Sequence, residues 1–235
     1  MTTRTETVTV ADGEFALNVW TPEGGGGPGI LLIQEIYGVG AYIRAVAEDL
    51  AALGYVVAAP DLFWRVHPGW ASSHDEEGLK RSLGVASRFD AGKGLDDLAA
   101  SLDRLRGLPE TRGPVGLLGF CLGGTLAYAL GARVDDVAAV VSFYGSGVPD
   151  QLDLLDEIGC PLQFHFGGSD PYIPRAKVAE VERAVEGRPN VEFHVQEDAG
   201  HAFHNRKAPM FHNPGAAERA WRLTEDFLAR SLPTG

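Results

Sequence analysis

Cysteine is scarce in this chain, with Cys121 and Cys160 the only two among 235 residues. They lie far apart, so a disulfide framework of the kind that staples small secreted domains is excluded. Basic residues are also in deficit: 20 Lys and Arg stand against 32 Asp and Glu, a formal net charge of -12. That balance repels phosphate backbones and anionic lipid surfaces, which argues against nucleic acid and membrane partners. No uninterrupted apolar run is long enough to span a bilayer. The opening residues Met1 to Glu6 hold no apolar core of a signal peptide. A reducing cytoplasm is therefore the expected compartment, and there a free thiolate survives. The glycines Gly24 to Gly27 lack the lysine and spacing of a phosphate loop. His201, His204 and His212 are joined by no acid or cysteine at metal-ligand spacing. No cofactor and no metal are expected.

What is present suits one soluble domain over residues 1–235. A chain of this length buries roughly 70% of its unfolded surface and needs no staples. Thr7 to Val10 and Glu14 to Trp20 alternate around Asp12-Gly13, a hairpin signal. Gly29-Ile30-Leu31-Leu32-Ile33 is a short continuous apolar run, as for a strand buried on both faces. Helical and strand patterns then alternate. Helices are predicted over Tyr42 to Leu53, Asp96 to Leu105, Leu122 to Gly131, Pro174 to Val185 and Ala216 to Ala229. Strands are predicted over Tyr55 to Pro60, Val115 to Gly119, Val137 to Phe143, Leu162 to Phe166 and Val191 to Val195. This alternation implies a mostly parallel central sheet with helices on both faces and an antiparallel N-terminal hairpin. Phe63 to Phe89 reads as an irregular insert, and Asp150 to Glu157 as a solvated acidic helix face.

The chemistry centres on Gly119-Phe120-Cys121-Leu122-Gly123. It has the form Gly-x-nucleophile-x-Gly between a predicted strand and a predicted helix, which is a nucleophile elbow. The turn strains the backbone at the nucleophile and demands small neighbours. The helix that follows directs its positive end at the sulfur, which favours a thiolate. The backbone N–H of Leu122 is placed to receive an oxyanion. A buried structural thiol in a Gly-rich turn is the competing explanation. The order of residues weakens that explanation. In α/β-hydrolases the acid and then the base follow the nucleophile. Here Asp170 follows Phe166-Gly167-Gly168-Ser169, and His201 follows Asp198-Ala199-Gly200, each just past a predicted strand. The expected fold is therefore the α/β-hydrolase fold, with Cys121, Asp170 and His201 as its triad.

Six segments carry a closer resemblance. They are Gln34-Glu35-Ile36-Tyr37-Gly38, Ala59-Pro60-Asp61-Leu62-Phe63, Gly119 to Gly124, Phe143-Tyr144-Gly145, Gly167-Gly168-Ser169-Asp170 and Gly200-His201-Ala202-Phe203. Together they resemble the dienelactone hydrolase family. The resemblance implies that the backbone of Ile36 joins that of Leu122 in an oxyanion hole. It implies that Glu35 touches the resting thiol, and that the chain is a monomer. A carboxylate beside the sulfur disfavours thiolate and protects it from oxidation.

The chain departs from that family where arginines hold a substrate carboxylate. Asn205 stands in one such place, with Arg206 beside it, and Leu79 and Leu83 stand in the places of a further arginine and a tyrosine on a helix before Phe89. Arg81 falls on another side of that helix. A more apolar pocket is expected, lined by Tyr37, Trp64, Trp70, Tyr144 and Phe203, with Arg206 near the substrate. Single aromatics of this kind also serve as ordinary core. His67 and His74 read as solvated insert residues, and Cys160 as an inert thiol. The expected reaction is hydrolysis of a small ester or lactone through a thioester at Cys121. The alternatives are a thiol redox switch, which needs neither Asp170 nor His201, and a ligand-binding relative without catalysis.

Overall fold

The computed structural model describes residues 1–234. The hairpin signal at Asp12-Gly13 becomes β1 (Thr2–Val10) and β2 (Gly13–Thr21), paired antiparallel from Thr2↔Thr21 to Val10↔Gly13. Six further strands follow: β3 (Gly27–Ile33), β4 (Val56–Pro60), β5 (Thr111–Phe120), β6 (Ala139–Phe143), β7 (Leu162–Gly167) and β8 (Val191–Gln196). They form one eight-stranded sheet in the order β1-β2-β4-β3-β5-β6-β7-β8. Antiparallel pairing is confined to β1 with β2 and β2 with β4. All other neighbours are parallel. Consecutive strand residues face opposite sides of a sheet. Ile30, Leu31, Leu32 and Ile33 are all fully buried, so both faces of the sheet are covered at β3.

The covering helices are α1 (Ala41–Ala52), α2 (Glu76–Ala86), α3 (Ala91–Arg106), α4 (Leu122–Gly131), α5 (Arg175–Val185) and α6 (Pro214–Ser231). In α3 the stripe Leu98, Leu102 and Leu105 is buried, as the spacing predicts. The helix starts five residues earlier than its apolar pattern, because Asp90 caps it by accepting from the Lys93 N–H at 3.1 Å. The supposedly irregular insert also contains a helix. Asp75 caps α2 by accepting from the Gly78 N–H at 2.7 Å. Its buried side carries Gly78, Ser82 and Val85, too few large apolar groups to advertise a helix. The acidic run 150–157 is likewise not an α-helix. It forms two short 3-10 turns, with Asp150 facing Lys177 and Asp156 facing Arg188.

Parallel strands end together. The carboxyl ends of β3, β5, β7 and β8 lie on one edge of the sheet, and each hands the chain to a loop from the six matching segments. Ile33 pairs with Gly119, so the loop after β3 lies beside the turn after β5.

Candidate active site

The turn between β5 and α4 is built by close approach. A Cβ on Gly123 would meet the Ile33 carbonyl oxygen at 2.3 Å, so only glycine lets α4 start against β3. Cys121 occupies the cap of α4 with φ 55 and ψ -117, a strained position for a side-chain residue. Its N–H donates to the Phe143 carbonyl at 3.0 Å, which pins the turn to β6. Tyr144 and Ala202 are the other described non-glycine residues with positive φ, and both sit around the same centre. The loops after β7 and β8 abut in the same way: a Cβ on Gly167 would meet the Gly200 carbonyl at 2.5 Å. The Ser169 N–H donates to the Ala199 carbonyl at 3.0 Å.

These loops bring three of the expected residues into one chain of contacts. The Cys121 sulfur lies 3.1 Å from Nε2 of His201. Nδ1 of His201 lies 2.7 Å from an Asp170 carboxylate oxygen. The other Asp170 oxygen accepts from the backbone N–H groups of Tyr172 and Ile173, at 2.8 and 3.1 Å. The His201 ring is held between Tyr144 and Tyr172, with centroids 5.2 and 5.1 Å away. Burial of His201 disfavours its charged form, but the negative sulfur of Cys121 and the hydrogen bonds to Asp170 and Cys121 outweigh it. The imidazole is pushed up to about 10. Its contacts with the Asp170 carboxylate and the Cys121 sulfur thus favour the protonated ring.

Above the sulfur is a cleft of about 250 Å³, lined by residues that follow β3, β5, β6, β7 and β8 and by residues of α2. Ile36, Tyr37 and Leu122 line it, as do Leu79 and Leu83 from α2. Leu122 is the first residue of α4 and has no intrahelical acceptor for its N–H. The Ile36 N–H also donates to no other backbone group among the described residues. Both residues line the cleft that Cys121 lines. The Tyr37 hydroxyl is buried and without a partner. Burial, and the negative charges of Glu35 and Cys121, keep it protonated.

Glu35 lines the same cleft but is held differently from expectation. Its carboxylate accepts from Asn205 Nδ2, at 2.9 Å to one oxygen and 3.2 Å to the other. Nε2 of His74 lies 3.0 Å from the first of these oxygens. No hydrogen bond joins Glu35 to Cys121 among the described residues, and the sulfur faces His201 instead. Asn205, read from the sequence as a missing arginine, is thus the carboxylate's anchor. His74, expected to be solvated, has a side chain only 5% exposed and stacks against Tyr37 at 4.4 Å.

Five expected binding residues lie elsewhere. Trp64 stacks on Phe15 and donates from its indole to Asp97, far along the insert from the cleft. Tyr144 and Phe203 are fully buried against each other, and Tyr144 supports the His201 ring from behind. Arg206 turns to Asp49 at 2.6 Å and to the Ala45 carbonyl, because an acidic partner on α1 is nearer than the cleft. Trp70 donates to the Ile36 carbonyl at 3.1 Å and so braces the loop after β3. Sequence reasoning missed three cleft residues, Ser146, Tyr172 and Phe211. Tyr172 had a signal, two residues after the acid. Ser146 and Phe211 had none that pointed to the cleft.

His204 is buried, bonded to the Tyr42 hydroxyl at 2.7 Å and pulled down to about 3 by burial, so it is a neutral core histidine. Among the described residues no group of three His, Cys, Asp or Glu side chains is placed to hold a metal. No helix there is long and apolar enough to cross a membrane. Cys160 is free, and burial raises its thiol.

Comparison with known proteins gives the family. A model of the dienelactone hydrolase family matches residues 15–232. A carboxymethylenebutenolidase of Pseudomonas putida is 34% identical over 216 residues, covering 92% of this chain and 91% of that protein. A carboxymethylenebutenolidase of Pseudomonas sp. strain P51 is 33% identical, covering 95% and 93%. A solved dienelactone hydrolase from Anabaena variabilis superposes with a TM-score of 0.73 at 23% identity, covering 98% of both chains, which shows the shared α/β-hydrolase fold. The chain belongs to the dienelactone hydrolase family.

Proposed function

We propose that this protein hydrolyses small carboxylic esters or lactones through a Cys121-His201-Asp170 triad and a thioester intermediate. One observation carries the reading. A thiol, an imidazole and a carboxylate are linked by contacts of 3.1 and 2.7 Å at the floor of a cleft that Leu122 and Ile36 also line. The family relationship supports the reaction class, since its named relatives act on lactones.

The steps follow from the geometry. Cys121 sulfur, its proton on His201, attacks the ester carbonyl carbon and forms a carbon–sulfur bond. The carbonyl oxygen takes the negative charge and is held by the N–H groups of Leu122 and Ile36. Such a donor is worth about 3 kcal/mol in the transition state. The carbon–oxygen bond breaks as His201 Nε2 gives its proton to the leaving alkoxide. Water then enters, His201 takes its proton, and hydroxide displaces the sulfur. The acid leaves and the thiolate with its imidazolium is restored. Asp170 keeps the ring oriented and offsets its charge throughout.

Thiolate is a better leaving group than alkoxide, so the first adduct reverts unless the alcohol departs easily. Activated esters and enol lactones meet that condition and amides do not. The test is hydrolysis of an activated aryl ester by wild type, Cys121→Ala and His201→Ala. Loss of turnover in both variants, with acyl thioester trapped on wild type only, supports the reading. Equal rates in all three overturn it.

A further inference from the structure

Neither lysine nor arginine lines the cleft above Cys121. Its walls are Leu79 and Leu83 from α2, with Ile36, Phe211 and the rings of Tyr37 and Tyr172. Its remaining ionisable members are Glu35, Cys121 and His201, and both ring nitrogens of His201 are already engaged, one by the sulfur and one by the Asp170 carboxylate. The nearby arginines are turned away. Arg206 is paired with Asp49, and Arg81 is exposed on α2 and does not line the cleft. A carboxylate brought into this space would be partly stripped of water, would meet no lysine or arginine, and would sit beside the buried acid Glu35.

The apolar surface also extends outward. Leu83 is 53% exposed and Tyr172 55% exposed at the cleft, and Met210, next to the lining Phe211, is 48% exposed. Exposed large apolar groups grouped around a pocket mark a surface that meets an apolar ligand. The one unpartnered buried side-chain polar atom in the lining, the Tyr37 hydroxyl, is a neutral donor.

We infer that the cleft selects uncharged esters and lactones, with Leu79 and Leu83 as the specificity-determining walls against which an apolar acyl group lies. This rests on the hydrolase reading of Cys121 and names its substrate class. Leu79 and Leu83 do no chemistry. They set which substrate reaches the sulfur.

The test compares the p-nitrophenyl ester of hexanoic acid with the mono-p-nitrophenyl ester of adipic acid, which differs by an ω-carboxylate in place of a methyl. Rates are taken against the Cys121→Ala background at neutral pH. Wild type is expected to favour hexanoate in kcat/KM by about tenfold or more, the scale of one unpaired charge in an apolar site. Leu79→Arg and Leu83→Arg, made separately, are each expected to shrink that ratio by about tenfold, chiefly through KM for the adipate ester. Leu79→Gln and Leu83→Gln control for polarity and should leave most of the discrimination. Equal or faster hydrolysis of the adipate ester by wild type overturns the inference and leaves the triad reading standing. Hydrolysis of neither ester above background overturns both.

Discussion

Asn205 Nδ2 donates to both carboxylate oxygens of Glu35, across 170 positions of sequence. This pair joins the loop after β8 to the loop after β3. Glu35 is 2% exposed, so its oxygens depend on protein partners rather than water. Removing the donor leaves a buried acceptor partly unpaired. Asn205→Ala should therefore destabilise the fold by about 1–3 kcal/mol. Asn205→Asp should cost more at neutral pH, because it sets two carboxylates against each other, and should recover as acid protonates one of them. Urea denaturation of the three proteins at two pH values measures both effects. An Asp variant as stable as the Ala variant at neutral pH would remove Glu35's charge from the explanation.

Asp170 tests the orientation of the base. In Asp170→Asn the remaining oxygen can still accept from Tyr172 and Ile173, so the loop is preserved. The amide nitrogen cannot accept from His201 Nδ1–H, and the imidazole loses its orienting partner. We expect kcat to fall by about 10²- to 10⁴-fold with the fold intact. A variant that keeps wild-type kcat places the orientation of His201 in other hands.

The state of His201 has a signature in stability. Unfolded histidine titrates near pH ~6.5, whereas in the folded chain His201 is pushed up to about 10. A group that binds its proton more tightly when folded stabilises the fold fully below its unfolded value. That stabilisation is lost as pH rises through the folded value, here between about 6.5 and 10. Denaturation midpoints should fall across this window in wild type and fall less in His201→Gln. Parallel curves for the two proteins would contradict an imidazolium at rest.

Trp64 separates a binding residue from a structural one. Its indole donates to Asp97 at 2.9 Å, and Asp97 is fully buried and also paired with Arg65. Trp64→Phe keeps the stack on Phe15 and loses the hydrogen bond. Stability should drop by about 1–2 kcal/mol while kcat/KM for an activated ester stays unchanged. A selective rise in KM would return Trp64 to the substrate site.

Much of the site is legible in the chain because its parts are local. The nucleophile turn needs small residues two places from Cys121: at Gly119 the reason is local, since a Cβ would meet the Gly123 carbonyl at 2.0 Å, whereas at Gly123 it is the approach of Ile33 across the sheet. Asp170 and His201 each follow a strand whose apolar run is plain, so their place at one edge of a parallel sheet follows from the alternation of elements. The helix α2 was harder. Its inner side is Gly78, Ser82 and Val85, and its start is marked by the Asp75 cap rather than by an apolar stripe.

The sequence by itself thus determined the fold class, the strand ends that carry Cys121, Asp170 and His201, and the order of these three along the chain. Those depend on periodicity, on backbone sterics and on short-range hydrogen bonds. Only the tertiary structure decided which distant side chains meet. It gave Glu35 to Asn205 and His74, turned Trp64 and Arg206 from the cleft to Asp97 and Asp49, and set Leu79 and Leu83 over the sulfur. Such pairings arise when the sheet closes and the loops at its edge compete for partners, and a residue's neighbours along the chain carry no record of that competition.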